Sequence, residues 1–397
     1  MSTGLTRDFW KLWAAAATSN IGDGIRLTAL PLLIAAITRD PLVVSGVTAA
    51  TFAPWAIFSL PGGALVDRMD RRKLMVAGQL VRGLMVGVLG FAILAGIESV
   101  LLIYVTAFVI GTGEVFVDTS SQAAIQMLVP EPELAHAHSK HLAVEFVTND
   151  ALGGPVGAWL FSASAALPFL LDSTTFLMAG LLITQIRAPL QDQSDRPAQT
   201  LLDSIREGVT FVRRHALLRG LALAVASANL AVGAGSSILV LLALDALDLT
   251  EFGFGLLIAT GAVGGFLGAL LARRLTMALG RRRAMTAGAG LLAAGQLVMS
   301  LAPTGLVAAS GFLLGSFGVS LFSVVGRALR QAVTPDRILG RVVTTFRLIG
   351  VGALPIGALT GGWLADSFDV RVSCWVGAGV GTGVNFAVFL IAAACRC

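Results

Sequence analysis

Charge is scarce in this sequence. Asp, Glu, Lys and Arg make up only 13% of 397 residues, hydrophobic residues make up 56%, and mean hydropathy is +0.84. That balance excludes a water-soluble globule of ordinary composition. Cysteine is scarcer still. Cys374, Cys395 and Cys397 are the only three, so no framework of structural disulfides is expected, and a reduced C-terminal end without metal or redox duty is the simplest reading. Signatures of catalysis are also missing: there is no Walker loop, no His-Glu-x-x-His pair and no nucleophile elbow, which argues against an enzyme and against any bound cofactor. The opening MSTGLTRDFWKLW has a basic flank but no small-residue cleavage pattern after it, and its apolar run carries Asp23 and Arg26. A first membrane span is therefore expected, not a removed signal peptide.

What the chain has instead is long apolar runs. A hydrocarbon core of about 30 Å needs roughly 20 apolar residues in a helix, because backbone groups cannot face lipid unpaired. Charge and turn residues cut the sequence into twelve such runs, near 10–38, 43–65, 74–96, 99–126, 142–163, 165–186, 217–243, 252–272, 284–302, 306–326, 342–365 and 370–394. The fold class expected is an all-α membrane protein of twelve transmembrane helices. Of the 28 basic residues, 23 fall at the termini and in even-numbered connections, counting Lys11 and Arg219 at the edges of their runs, which puts both termini in the cytoplasm. The longest connection, opening RAPLQDQSDRPAQT, divides the chain into 1–187, a linker at 188–216 and 217–397. Within the linker, Leu202, Ile205, Val209 and Val212 lie at helical spacing opposite Arg206, Arg213 and Arg214. Such a helix suits either the inner leaflet or a solvated connector.

The two halves repeat. Gly63-Ala64-Leu65-Val66-Asp67-Arg68 returns as Gly268-Ala269-Leu270-Leu271-Ala272-Arg273, and Pro155-Val156-Gly157-Ala158 returns as Pro355-Ile356-Gly357-Ala358, at offsets of 205 and 200 residues. Two matches at equivalent places imply parallel six-helix repeats about an axis along the membrane normal.

The stretch GGALVDRMDRRK resembles the signature between the second and third spans of the major facilitator superfamily, and nearly the whole chain shares that pattern. GGPVGAW is similar to the span 5 motif of its drug/proton antiporter branches. VDTSSQAAIQMLVPEPEL, FVRRHALLRG and RALRQAVTPDRILGRV look like the branch holding the enterobactin exporter and bacterial macrolide-efflux proteins. Two departures stand out: Asp70 occupies a position that is normally glycine, and FVIGTGEVFVD lacks the arginine often found in span 4. The resemblance implies a secondary transporter in a bacterial inner membrane. It would export an amphipathic organic molecule (drug, macrolide or siderophore) against protons by alternating access, as a monomer with no nucleic-acid partner. An uncoupled facilitator or importer is the alternative, and a non-transporting sensor the remote one.

Charges inside spans are costly and mark candidate sites. Asp23 lies about 18 Å along its helix from Lys11, near mid-membrane, with Arg26 one turn on. Glu114 and Asp118 share a face of span 4, where Arg82 of span 3 is the expected partner. Desolvation in a closing cavity makes a carboxyl group hold its proton more tightly, so Asp23, then Glu114 and Asp118, are the expected proton carriers, with Arg26, Arg82 and Arg347 as charge partners. Glu145, Asn149, Asp172 and Asn229 are candidates for a substrate cavity. Gly63, Asp67, Arg68, Arg71, Arg72 and Arg341 form an expected cytoplasmic gate, in which Asp67 meets the start of span 11 or Arg341. Gly153, Gly154, Pro155 and Gly157 are expected to let span 5 pack closely on a neighbour. His136, His138 and His141 have metal-capable spacing but no set partner, and no metal site is expected. GAGVGTG in span 12 follows no strand and reads as helix packing.

Overall fold

The computed structural model describes residues 5–191, 201–380 and 383, and all regular structure among them is helical. Cys395 and Cys397 lie outside the described residues. Nine described helices or helical segments are long and apolar enough to cross a bilayer. The chain divides into two compact units, 1–37 with 53–197 and 38–52 with 198–397.

The first unit comprises α1 (Arg7–Ile37), the later part of α2 (Pro41–Arg68), α3 (Arg71–Leu94), α4 (Val100–Leu128), α5 (Leu134–Glu145), α6 (Gly153–Ala163) and α7 (Leu167–Thr184). Local chemistry sets several boundaries. Asp70 accepts from the Arg72 N–H at 2.9 Å and Ser99 from the Leu102 N–H at 3.3 Å, each capping the helix that follows. The aspartate that departs from the family motif thus starts α3. A π-helical turn at Phe146–Ala151 joins α5 to α6. α1 is the central element: 67% of its apolar window is buried, against 33% for α3, and it packs on α7, α6 and α4.

The second unit holds α8 (Leu201–Arg214), α9 (Ala216–Ser237), the single turn α10 (Leu239–Leu241), α11 (Glu251–Ser300), α12 (Gly305–Val333), α13 (Asp336–Ser367) and α14 (Val370–Val380). Within α11, Gly280 adopts φ 79° and ψ 155°, a conformation open to glycine, and breaks the 50-residue helix just before Arg281, Arg282 and Arg283. The linker amphipath is α8, and it docks on α13. Val212 is buried in the unit's core, Glu207 pairs with Arg341, and a Cβ at Gly208 would meet the Arg341 carbonyl carbon at 3.0 Å. Of its apolar face, Val212 is buried in protein and Val209 is half-buried. The side chains of Leu202 and Ile205 lie outside the described residues.

Lipid is as apolar as leucine, so helix pairing depends on close packing. Both units use the same device. A Cβ on Gly24 would meet the Cα atoms of Asn149 and Gly153 at 2.8 and 2.9 Å, and one on Gly157 would meet the Ile25 Cα at 3.0 Å. Across α9 and α13, a Cβ on Gly357 would meet the Leu230 Cα at 2.9 Å, and one on Gly361 the Ala234 Cα at 2.6 Å. The repeated Pro-x-Gly-Ala therefore marks equivalent helix crossings. Gly157→Ala and Gly357→Ala should each lower the thermal midpoint of the purified protein, at a cost of about 1–3 kcal/mol. Gly340→Ala, where an added Cβ meets nothing within 4 Å, should leave it unchanged.

Candidate functional site: a buried charge cluster in the first unit

The sequence Gly22-Asp23-Gly24 lets α1 approach two helices at once. Gly22 faces Asp172 and Thr175 of α7, and Gly24 faces Asn149 and Gly153. Asp23 stands between them, 8% exposed, near the middle of α1. Its Oδ1 accepts from Arg26 Nη2 and from Arg82 Nη2, each at 2.6 Å. Ser19 Oγ lies 3.5 Å from Oδ2. Charge-assisted bonds of this length are the strong ones.

Both arginines are almost fully enclosed. Arg26 is 2% exposed and Arg82 1%. From the Asp23 pair, Arg26 extends its Nε to 3.2 Å from Asp172 Oδ2, and Asp172 is wholly buried. Thr175 Oγ1 lies 3.4 Å from Asp172 Oδ1. Arg82 donates from Nη1 to Gln79 Oε1 at 3.4 Å and sets its guanidinium 4.0 Å over the Phe176 ring. Its stem crosses α4 at Gly113, where a Cβ would meet Arg82 Cγ at 2.6 Å.

That path explains a correction. Arg82, expected beside Glu114 and Asp118, passes across Gly113 to α1 and bonds to Asp23. Asp118 accepts from Gln122 Nε2 at 3.0 and 3.1 Å. Asp172, expected to face a substrate cavity, is sealed in the protein against Arg26 because Gly22 lets α7 close on α1. Glu114 is half-buried and within electrostatic reach of Asp23, Arg26 and Arg82. It forms no hydrogen bond or ion pair among the described residues.

The remaining candidates are dispersed. Glu145 is half-buried at the end of α5. Asn149 lies in the π-helical turn with its Oδ1 buried and without a hydrogen-bond partner among the described residues. Asn229 donates to the Val225 carbonyl of its own helix at 2.9 Å, and Arg347 is half-buried on α13. Of the expected gate, Gly63 faces open space, buried Arg71 donates to Met127 Sδ at 2.7 Å, and Arg72 donates to the Ala188 carbonyl at 2.6 Å. Arg341 has Glu207 as a partner, while the side chains of Asp67 and Arg68 lie outside the described residues. Gly153 and Gly157 press on α1, Gly154 is buried, and Pro155 is half-buried. Ser19, Gln79, Thr175 and Phe176 complete the cluster without having been singled out in the sequence. Gln79 alone offered a signal, one helical turn before Arg82.

A family model of transmembrane secretion effectors matches residues 5–394. The chain belongs to that family, within the major facilitator superfamily. It is 27% identical over 375 residues to the multidrug efflux pump Tap of Mycolicibacterium fortuitum, covering 90% of this chain and 89% of that one. Macrolide efflux protein A of Streptococcus pyogenes is 24% identical, with 91% and 90% covered. Among solved structures, a bacterial homologue of the iron transporter ferroportin in its inward-facing state superposes with TM-score 0.80 at 18% identity, covering 98% and 99%. The nucleoside transporter NupG, as a point mutant, gives 0.79 at 10% identity, covering 97% and 100%. The fold is that of these transporters, and the chain is a multi-pass membrane protein.

Removing one member of a buried ion pair strands the other, at about 3–5 kcal/mol. Arg82→Gln should therefore lower the thermal midpoint of the solubilised protein sharply, and adding Asp23→Asn should recover part of the loss. A single variant as stable as wild type would contradict the pairing.

Proposed function

We propose that this protein exports an amphipathic organic molecule, of the macrolide or multidrug kind, across a bacterial inner membrane in exchange for protons. Two relatives are named as a multidrug efflux pump and a macrolide efflux protein, which supports the export and its cargo class. In this reading there are twelve spans. The break at Gly280 makes two of α11, α5 with α6 forms another, and α14 begins the last. Residues 1–187 and 217–397 form the two bundles, 188–216 links them, and both termini are cytoplasmic. The protein works as a monomer by alternating access and is not an enzyme.

The observation that carries the coupling is an imbalance of charge. Asp23, Asp172 and Glu114 face Arg26 and Arg82. Fully ionised, these five groups hold one surplus negative charge, which one proton cancels, and a net charge at this depth is costly. Asp23 is held by both arginines and acts as an anchor. Glu114, half-buried and without an ion-pair partner among the described residues, is the group best placed to take up and release the proton. Asp118, one turn along α4, connects Glu114 toward the end of the helix. Asn149 in the neighbouring irregular segment and Glu145 at the end of α5 are proposed to contact cargo.

Everted vesicles carrying the protein should accumulate a macrolide when their interior is acidified, and an uncoupler should abolish the accumulation. Glu114→Gln should reduce proton-driven uptake at least tenfold. Uptake by the variant equal to wild type, without proton movement, would replace this reading with an uncoupled facilitator.

A further inference from the structure

A second feature of the first unit lies apart from the charge cluster, at the end where α1 begins and α4 and α7 finish. A cavity of about 910 Å³ opens there, lined by Arg7, Asp8, Lys11, Met127, Leu128 and Arg187 among others. Its wall is built by a pinned strap of backbone. Asp8 Oδ2 accepts the N–H groups of Arg187 and Ala188 at 3.0 and 2.9 Å. Asp8 Oδ1 accepts from Lys11 Nζ at 2.8 Å, and Lys11 also donates to the Gln185 carbonyl at 2.7 Å. The one carboxylate in the wall is thereby used up, with its charge offset by Lys11. Two cations remain. The guanidinium groups of Arg7 and Arg187 are exposed and have no partner among the described residues.

Two exposed guanidinium groups on one cavity call for an anion with several acceptor oxygens, and phosphate matches their planar donor forks. Thr6, Thr184 and Gln185 also line the cavity, and Met127, 39% exposed, adds an apolar patch beside the mostly buried Leu128. The volume far exceeds what a bare phosphate fills. Nearby, Trp10 is 42% exposed and carries the Lys140 ammonium 5.3 Å above its ring. An exposed tryptophan beside lysine is the pattern of a membrane interface, the depth at which a headgroup is found. We infer that this cavity binds the phosphate headgroup of an anionic lipid, with Arg7 and Arg187 on the phosphate and Met127 against the apolar portion.

The test uses the full-length protein in detergent and counts bound lipid by native mass spectrometry, which reads binding independently of cargo export. Wild type should retain phosphatidylglycerol over phosphatidylcholine by at least threefold. Arg7→Gln/Arg187→Gln should lose that preference at an unchanged thermal midpoint. Arg273→Gln/Arg274→Gln, which removes two exposed arginines of the second unit, should keep it. An equal preference in the Arg7/Arg187 variant would overturn the site. Displacement of phosphatidylglycerol by millimolar inorganic phosphate would assign the cavity to a free anion and overturn the lipid assignment.

Discussion

One carboxylate oxygen, Asp23 Oδ1, receives two guanidinium groups at 2.6 Å from separate helices. The rest of the first unit is arranged around that contact. Arg26 comes from the same helix and passes the charge on to Asp172 of α7, and Arg82 arrives from α3 across α4. Four helices thus meet at a point where an unpaired charge would cost several kcal/mol. Gly22, Gly24 and Gly113 are small because the arginines, Asp172 and the neighbouring backbone occupy the space a side chain would take.

The second unit keeps the scaffold and omits the charges. Gly157 meets Ile25 in one unit and Gly357 meets Leu230 in the other. Counting back from those contacts, Asp23 corresponds to Ala228, and counting forward, Arg26 corresponds to Ala231. The same helix crossing therefore serves in one place as a frame for ionisable groups and in the other as apolar packing. Backbone approach is the shared requirement, and the charges are an addition to it, not its cause.

Much of this was legible in the sequence, for physical reasons that can be named. Lipid forces helices, so apolar run lengths located α1, α3, α4, α7, α9, α12 and α13. The paired Pro-x-Gly-Ala segments disclosed equivalent crossings because small residues are the only ones that permit them. Asp23 and Arg26 could be paired from their spacing on one helix. The reach of Arg82 could not, since it depends on how α3 and α4 lie against α1, and a long, flexible side chain has several carboxylates within range. Asp172 reads as a cavity residue from its depth alone, and only the closeness permitted by Gly22 shows it to be sealed. The amphipathic pattern of α8 fits the inner leaflet and a solvated connector equally well, and its contacts with α13 at Gly208 and through the Glu207–Arg341 pair depend on packing that the pattern does not disclose.

The account turns on five groups, Asp23, Asp172, Glu114, Arg26 and Arg82, which together are neutral when they carry a single proton. Its most direct test is the number of protons released when cargo binds to purified protein in weakly buffered solution. About one proton per bound macrolide from wild type, and none from Glu114→Gln, is the predicted result, because Glu114 is the carboxylate of these five groups that no arginine holds in an ion pair among the described residues. Binding without proton release in wild type, or the same release from the variant, would contradict it.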